Sequence, residues 1–321
     1  MRIGWILNGN RQVAGARIHG WNMHETLKKR GYDSDIIHAE GFSTRFQLTK
    51  SEIDSLDGYD AIFINRFKTG ENLPYFLDTT RAKIIYICSA PPNPLLVERA
   101  DRILVVSDYL LKKLPEDKSI YVFDGYEQDP SKRKTHHSQK RITLGYVSNN
   151  VYDEFPQIDR LPENVKLKII GPPEKRVKKH MPGKTLFSKT KIPFEYKVWD
   201  EDTVTDELLE TDVGVIPYPD DQLEEDAIKA KSNNRAIYLM SLGLPVIASP
   251  LHELKNLVKN DETGYIATTK EEWQEAIKKL RDDPDLRKRM GEKAREQALP
   301  YSKEAQADEY ERILKEVVQK Q

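Results

Sequence analysis

Short, unbroken apolar runs rich in β-branched and aromatic residues recur along the chain, separated by longer stretches with helical spacing. This alternation limits the fold more than any other feature. The first half offers Ile3–Leu7, Ser34–Ala39, Ala61–Asn65, Lys83–Cys88, Ile103–Ser107 and Ser119–Phe123. Runs of this kind, without polar alternation, suit strands covered on both faces, as in a parallel sheet. Between the first two lies Ile18–Arg30, with apolar residues at helical spacing and Gly31 placed to close the helix. The pattern predicts β-α-β units. Strands resume at Ile142–Val147, Val165–Ile170, Phe194–Val198, Val213–Ile216 and Pro245–Ser249, with helices expected over Thr203–Thr211, Asn234–Leu242 and Glu271–Asp282.

A chain of 321 residues suggests about two domains, each able to bury a core. Residues 128–141 contain no apolar residue and read as an exposed linker, with His136 and His137 solvated. The expected organisation is therefore a Rossmann-like domain over 1–127, the linker, a second over 142–300 and a tail over 301–321. The tail carries Tyr310, Ile313, Leu314, Val317 and Val318 on one stripe, an amphipathic helix with something to cover. It either covers a neighbouring domain face or crosses back to the first domain.

Charge narrows the classes of function. Lys and Arg number 51 against 52 Asp and Glu, a balance that argues against a dedicated nucleic-acid binder. Residues 1–141 hold 22 basic and 18 acidic side chains, and 142–321 hold 29 and 34, as expected of two domains meeting across a cleft. One cysteine, Cys88, excludes an internal disulfide and a Cys-rich zinc site. The N-terminus has no signal-like apolar core, and no run approaches a membrane span. A cytoplasmic protein is expected.

Ligands of open parallel sheets bind outside the carboxyl ends of the strands. The loop after the first run, Asn8–Arg17, is small and polar but lacks G-x-G-x-x-G; it is either an ordinary turn or, through Gly15 and Arg17, a phosphate or acceptor contact. Lys231-Ser232-Asn233-Asn234-Arg235 precedes a helix and supplies candidate N-caps, two cations and two amides, a set suited to a diphosphate. The plain alternative is a capped surface helix flanked by charges. Ser148 and Asn149 follow one strand, Gly171 and Pro172 another. Trp199 ends the next, as a base platform or a core residue, and Tyr218 lies in a turn after a fourth. His19 and His24 lie on different helix faces and make poor metal ligands. Asp220-Asp221 and Glu224-Glu225-Asp226 read as a solvated acidic loop, or as a run that repels a second phosphate or holds the lysines in place.

Thr211–Pro217, Lys231–Met240, Ser241–Ser249 and Thr263-Gly264-Tyr265, in this order and spacing, resemble the GT-B glycosyltransferases, particularly the retaining family 4 group ("glycosyl transferases group 1"). The resemblance runs over nearly the whole chain, with weaker echoes at Arg17–Asp33, Val106-Ser107 and Asp124-Gly125-Tyr126-Glu127. It implies two Rossmann-like domains facing across a cleft. It also implies transfer of a sugar, with retention and without a metal or other cofactor, from a UDP-, GDP- or other nucleotide-sugar to an acceptor. The nucleotide would lie in the C-terminal domain and the acceptor, a carbohydrate, lipid-linked or small molecule, mostly in the N-terminal one. On this resemblance Lys231 to Arg235 and Gly15 take the diphosphate and sugar. Ser148, Asn149, Gly171, Pro172, Trp199, Tyr218 and Tyr238 take the nucleotide, and Arg17, His19 and Ser89 face the acceptor.

The sequence departs from the family at three places. Its paired glutamates fall on Ala230 and Tyr238, its basic pair after the first C-domain strand on Ser148-Asn149-Asn150, and its N-domain histidine on Cys88-Ser89-Ala90. No catalytic acid or base is assigned. Retaining transfer needs none from the protein if the leaving phosphate takes the acceptor's proton. The competing readings are a nucleotide-sugar-binding pseudoenzyme, motivated by the missing glutamates, and a nucleotide-sugar 2-epimerase. Lys28-Lys29-Arg30 and Lys112-Lys113 allow peripheral contact with anionic lipid, or are simply solvated helix faces.

Overall fold

A computed structural model describes residues 1–39, 45–65, 70–88, 91–148, 158–173, 192–219 and 222–319. The chain divides into two compact units. The first comprises Met1–Glu127, Lys229–Ser232 and Tyr301–Gln321; the second comprises Gln128–Ile228 and Asn233–Pro300.

The first unit holds six parallel strands: β1 (Arg2–Ile6), β2 (Asp33–His38), β3 (Ala61–Asn65), β4 (Lys83–Cys88), β5 (Arg102–Val105) and β6 (Ser119–Tyr121). Their order is β2-β1-β3-β4-β5-β6, so the winding direction reverses between β1 and β3. Successive residues point to opposite faces, and both faces are apolar. Ile62, Ile64, Ile84, Tyr86, Ile103 and Val105 face one core. Ile3, Trp5, Ala61, Phe63, Ile85 and Leu104 face the other. The helices of this half are α1 (Ala14–Ala16), α2 (Asn22–Lys29), α3 (Lys50–Asp54), α4 (Leu73–Thr79), α5 (Pro94–Arg99) and α6 (Asp108–Leu111).

The helix expected over 18–30 differs from what forms. It starts at Ala14, and a π turn over Arg17–Trp21 joins α1 to α2. Strand β5 stops at Val105 because Ser107 turns to cap α6, its Oγ accepting the Leu110 amide at 3.3 Å.

The second unit holds β7 (Ile142–Val147), β8 (Val165–Gly171), β9 (Glu195–Val198), β10 (Val213–Ile216), β11 (Val246–Ala248) and β12 (Gly264–Ile266), again all parallel. The order β12-β11-β10-β7-β8-β9 is the doubly wound one, with its reversal between β7 and β10. Its described helices are α7 (Val204–Leu209), α8 (Asp226–Lys229, whose last residue belongs to the first unit), α9 (Asn234–Ser241), α10 (His252–Leu257), α11 (Lys270–Asp282) and α12 (Pro284–Ala298). Trp273, Ile277, Leu280 and Met290 from α11 and α12 pack on Ile142, Leu144, Val213 and Val215. On the other face Gly214 lacks the Cβ that would strike Leu239, so α9 lies close against β10.

Residues 128–141 are docked on the second unit rather than exposed along their length. Lys134 donates its amide to Leu242 O at 2.7 Å and pairs with buried Asp212 at 2.9 Å. His136 meets Gly243 O at 2.9 Å, His137 meets Asp212 at 3.0 Å, and Arg287 donates to the carbonyls of His137 and Gln139. Polar residues form this contact through backbone groups and charge, which apolar periodicity does not register. The last helix, α13 (Lys303–Gln319), joins the first unit, with Tyr310, Ile313, Leu314 and Val317 packed on Trp5 and Phe63. Among the described residues no helix is long and apolar enough to cross a membrane.

Candidate active site

In the second unit, the strand order predicts a ligand crevice where β7 and β10 end. Tyr146 lies in β7 and Tyr218 just beyond β10; both are buried. Arg235, in the first turn of α9, spreads its guanidinium over both rings, 4.8 Å from the Tyr218 centroid and 5.9 Å from that of Tyr146. It also contacts the Tyr218 hydroxyl. The loop carrying Tyr218 is fixed in turn by Ser249, fully buried after β11, whose Oγ accepts the Tyr218 amide at 2.8 Å. Burial pushes the Tyr146 hydroxyl up in pKa, so the ring facing Arg235 is a neutral phenol.

The same turn begins with Asn233, the N-cap of α9. Its side chain makes no capping bond, and its Oδ1 is buried with no partner among the described residues. Helix N-termini present amides without intrahelical acceptors and a positive dipole end. A planar cation, a carboxamide and a helix start therefore converge at one point of the sheet edge.

A second group lies at the ends of β8 and β9. The Trp199 amide donates to Gly171 O at 2.7 Å, and the Tyr196 hydroxyl donates to Pro172 O at 2.6 Å. Burial pushes the Tyr196 phenol up to about 12. Trp199 is half-buried. Ser148 follows β7 and donates its amide to Ile170 O at 3.0 Å. Tyr238 points elsewhere: its hydroxyl shares a hydrogen bond of 2.8 Å with Thr205 of α7. Asn149 and Ser89 lie outside the described residues.

The candidate loop 231–235 is divided. Lys231 and Ser232 belong to the first unit, while Asn233, Asn234 and Arg235 belong to the second. Ser232 donates to Asp124 Oδ2 at 2.6 Å. Arg17 is nearly buried and bidentate on Glu127 at 2.7 and 2.9 Å, with a further bond to Arg11 O. His19 is buried, and both ring nitrogens have partners, Asp124 on one side and Tyr310 and Gln306 on the other. Gly15 O accepts from Asn65 Nδ2 at 3.0 Å.

Sequence reading did not single out Asn8, two residues beyond β1, or Asn65, the last residue of β3, both at the reversal of the first sheet. Both are buried, and the Oδ1 of each has no partner among the described residues. Their signal was a polar residue directly after an apolar run. Arg30, read as part of a basic surface stretch, is committed to Asp308 and Glu311.

Residues 237–297, running from α9 through most of α12, match the family model described as glycosyl transferases group 1. The fold is GT-B, and over the matched segment the chain is similar to glycosyltransferases. Sucrose-phosphate synthase from Thermosynechococcus elongatus superposes with a TM-score of 0.69 at 12% identity, covering 100% of this chain and 99% of its own. HepE of Anabaena, in complex with UDP-glucose, gives 0.70 at 13% identity over 98% and 100%. A glycosyltransferase from Rickettsia africae gives 0.69 at 15% over 100% and 99%. At these identities the likeness is one of fold. No curated protein sequence matches the chain.

Proposed function

We propose that the chain transfers a sugar from a UDP- or GDP-sugar to a carbohydrate or other hydroxyl-bearing acceptor, with retention and without a metal. The observation that carries this reading is Arg235, held against Tyr218 and Tyr146 at the N-terminus of α9 and at the reversal of the second sheet. In transfer, the bond between the anomeric carbon and the diphosphate oxygen breaks and the electron pair goes to that oxygen. Arg235 and the helix start would meet this developing charge in a fixed geometry, which lowers the barrier. The acceptor hydroxyl would form the new bond on the same face and pass its proton to the departing phosphate. UDP and UDP-glucose in the HepE complexes favour a uridine donor. Trp199, half-buried beside Gly171, is the proposed base platform.

A panel of nucleotide-sugars, assayed for released nucleotide and transferred sugar, tests the reading. Transfer supports it; binding without turnover identifies a pseudoenzyme, and sugar isomerisation an epimerase. Arg235→Ala is expected to weaken binding of the preferred nucleoside diphosphate by at least about tenfold, roughly 1.4 kcal/mol. Unchanged affinity in calorimetry, with the fold intact, removes Arg235 from the site.

A further inference from the structure

We propose that residues 128–141 form a strap held on the second unit by the neutral form of His136, so that protonation of His136 releases it.

The strap belongs to the second unit, as do all the partners named here. With no apolar residue of its own to bury, it is held by hydrogen bonds and charge. Lys132 reaches Asp206 of α7 at 2.6 Å. Lys134 donates its amide to Leu242 O at 2.7 Å and its Nζ to Leu209 O at 3.0 Å, and pairs with Asp212 at 2.9 Å. From α12, Arg295 donates to Lys132 O at 3.4 Å, and Arg287 donates to His137 O at 2.9 Å and Gln139 O at 3.0 Å. Segments held without apolar burial open locally at low cost.

His136 sits among these contacts. Gly243 O can only accept, so Nε2, 2.9 Å away, carries the ring proton. Nδ1 is buried and has no partner among the described residues. A second proton would enter there, where it meets neither water nor an acceptor. The charged groups facing the ring are Lys134 from the strap, Arg287 from α12 and Asp212 just before β10. The Leu242-Gly243 turn and Gly291, which also meet the strap, bring no charge. Burial, the largest influence, holds the imidazole below its ordinary value of 6.5; both cations push the same way, while Gly243 O and Asp212 oppose them.

The sign follows from linkage. A released strap takes up a proton more readily than a docked one, so docking is strongest above 6.5 and is lost as pH falls through the docked-state value. His137 works in the other direction: 3.0 Å from Asp212, it gains attraction when protonated. The acidic form is thus the solvated linker that composition alone suggests, and the neutral form is the docked strap.

Amide hydrogen exchange on the full chain, corrected for intrinsic rates, should be compared at about pH 7.5 and about pH 5.5, the interval over which a free imidazole takes up its proton. Protection of the Lys134 amide should fall severalfold on acidification, to a limit of about tenfold, while that of β7 holds. His136→Gln keeps an N–H for Gly243 O but takes no proton, and its protection should not change with pH. His137→Gln should keep the fall. Constant protection in wild type overturns the proposal, as does a fall in His136→Gln as large as in wild type. A rise on acidification overturns it too, because the His137–Asp212 pair then governs. If His136→Gln does not fold, NMR titration of the His136 ring in wild type decides: a midpoint below 6.5 supports the strap, and one at or above 6.5 overturns it.

Discussion

Arg235 shows what one side chain gains from its neighbours. A guanidinium on an exposed turn would be one charge among many; laid on two buried tyrosines it is held in a plane and aimed. The residue itself was legible, because cations before a helix stand out. Its seat was not, since Tyr146 in β7 and Tyr218 in the loop after β10 lie roughly 90 and 17 positions away and only the sheet brings them together. Glu311 is a second case where context sets chemistry. Hydrogen bonds from Lys315, Tyr32 and Arg30 hold its carboxyl down at about 2, against an ordinary value of 4.5. A depressed carboxylate contributes stability above its unfolded pKa and loses it as pH falls through the folded one. Wild type should therefore exceed Glu311→Gln in urea-unfolding stability above pH 4.5, and the gap should close as pH falls toward 2. A gap that persists to acid pH would show that the hydrogen bonds, not the charge, do the stabilising.

Among elements, the strands were the most readable, because burial on both faces leaves no polar alternation to confuse them. Every strand expected in the sequence has a counterpart, with ends shifted by a residue or two where a cap or turn competes. Helix α12 was not singled out, although Asp283 followed by Pro284 is a start signal: Asp283 accepts the Leu286 amide at 2.8 Å, and Pro284 sits at the first helical position. Its apolar stripe is broken by charges, including Arg287, which is fully buried. The helix lies against the turn after α9, where Gly291 faces the Gly243 carbonyl and the His136 ring with no room for a methyl group. Gly291→Ala is expected to destabilise the protein by about 1–3 kcal/mol, because the carbonyl cannot swing aside as a flexible side chain could. Equilibrium unfolding in urea measures this, and a variant as stable as wild type would mean that α12 shifts at no cost.

At the scale of the whole molecule, the first unit is assembled from three separated pieces of chain. Tyr310, Ile313 and Leu314 are fully buried against its sheet, so residues 1–127 alone lack part of one face. A fragment 1–127 should show strand and helix signal but no cooperative melting, and a peptide of residues 301–321 added in trans should restore the transition. Cooperative melting of 1–127 by itself would make α13 an accessory rather than a part. Sequence patterning identified the stripe on that helix but left its destination open, because an amphipathic face announces a partner without naming it. Likewise no pattern marked 229–232 as part of the first unit: four residues are too few to carry a period.

The three-piece construction also fixes an order of manufacture. A ribosome releases the 128–300 stretch before it reaches α13, so the unit begun first is the last to receive all its residues. At roughly 5–20 residues per second, that interval lasts on the order of ten seconds or more. During it, Trp5 and Phe63 face the cell without the Tyr310 ring that later covers them. Chaperone binding to the nascent chain should therefore concentrate on residues 1–127 and fall away once α13 has been made and has docked on them.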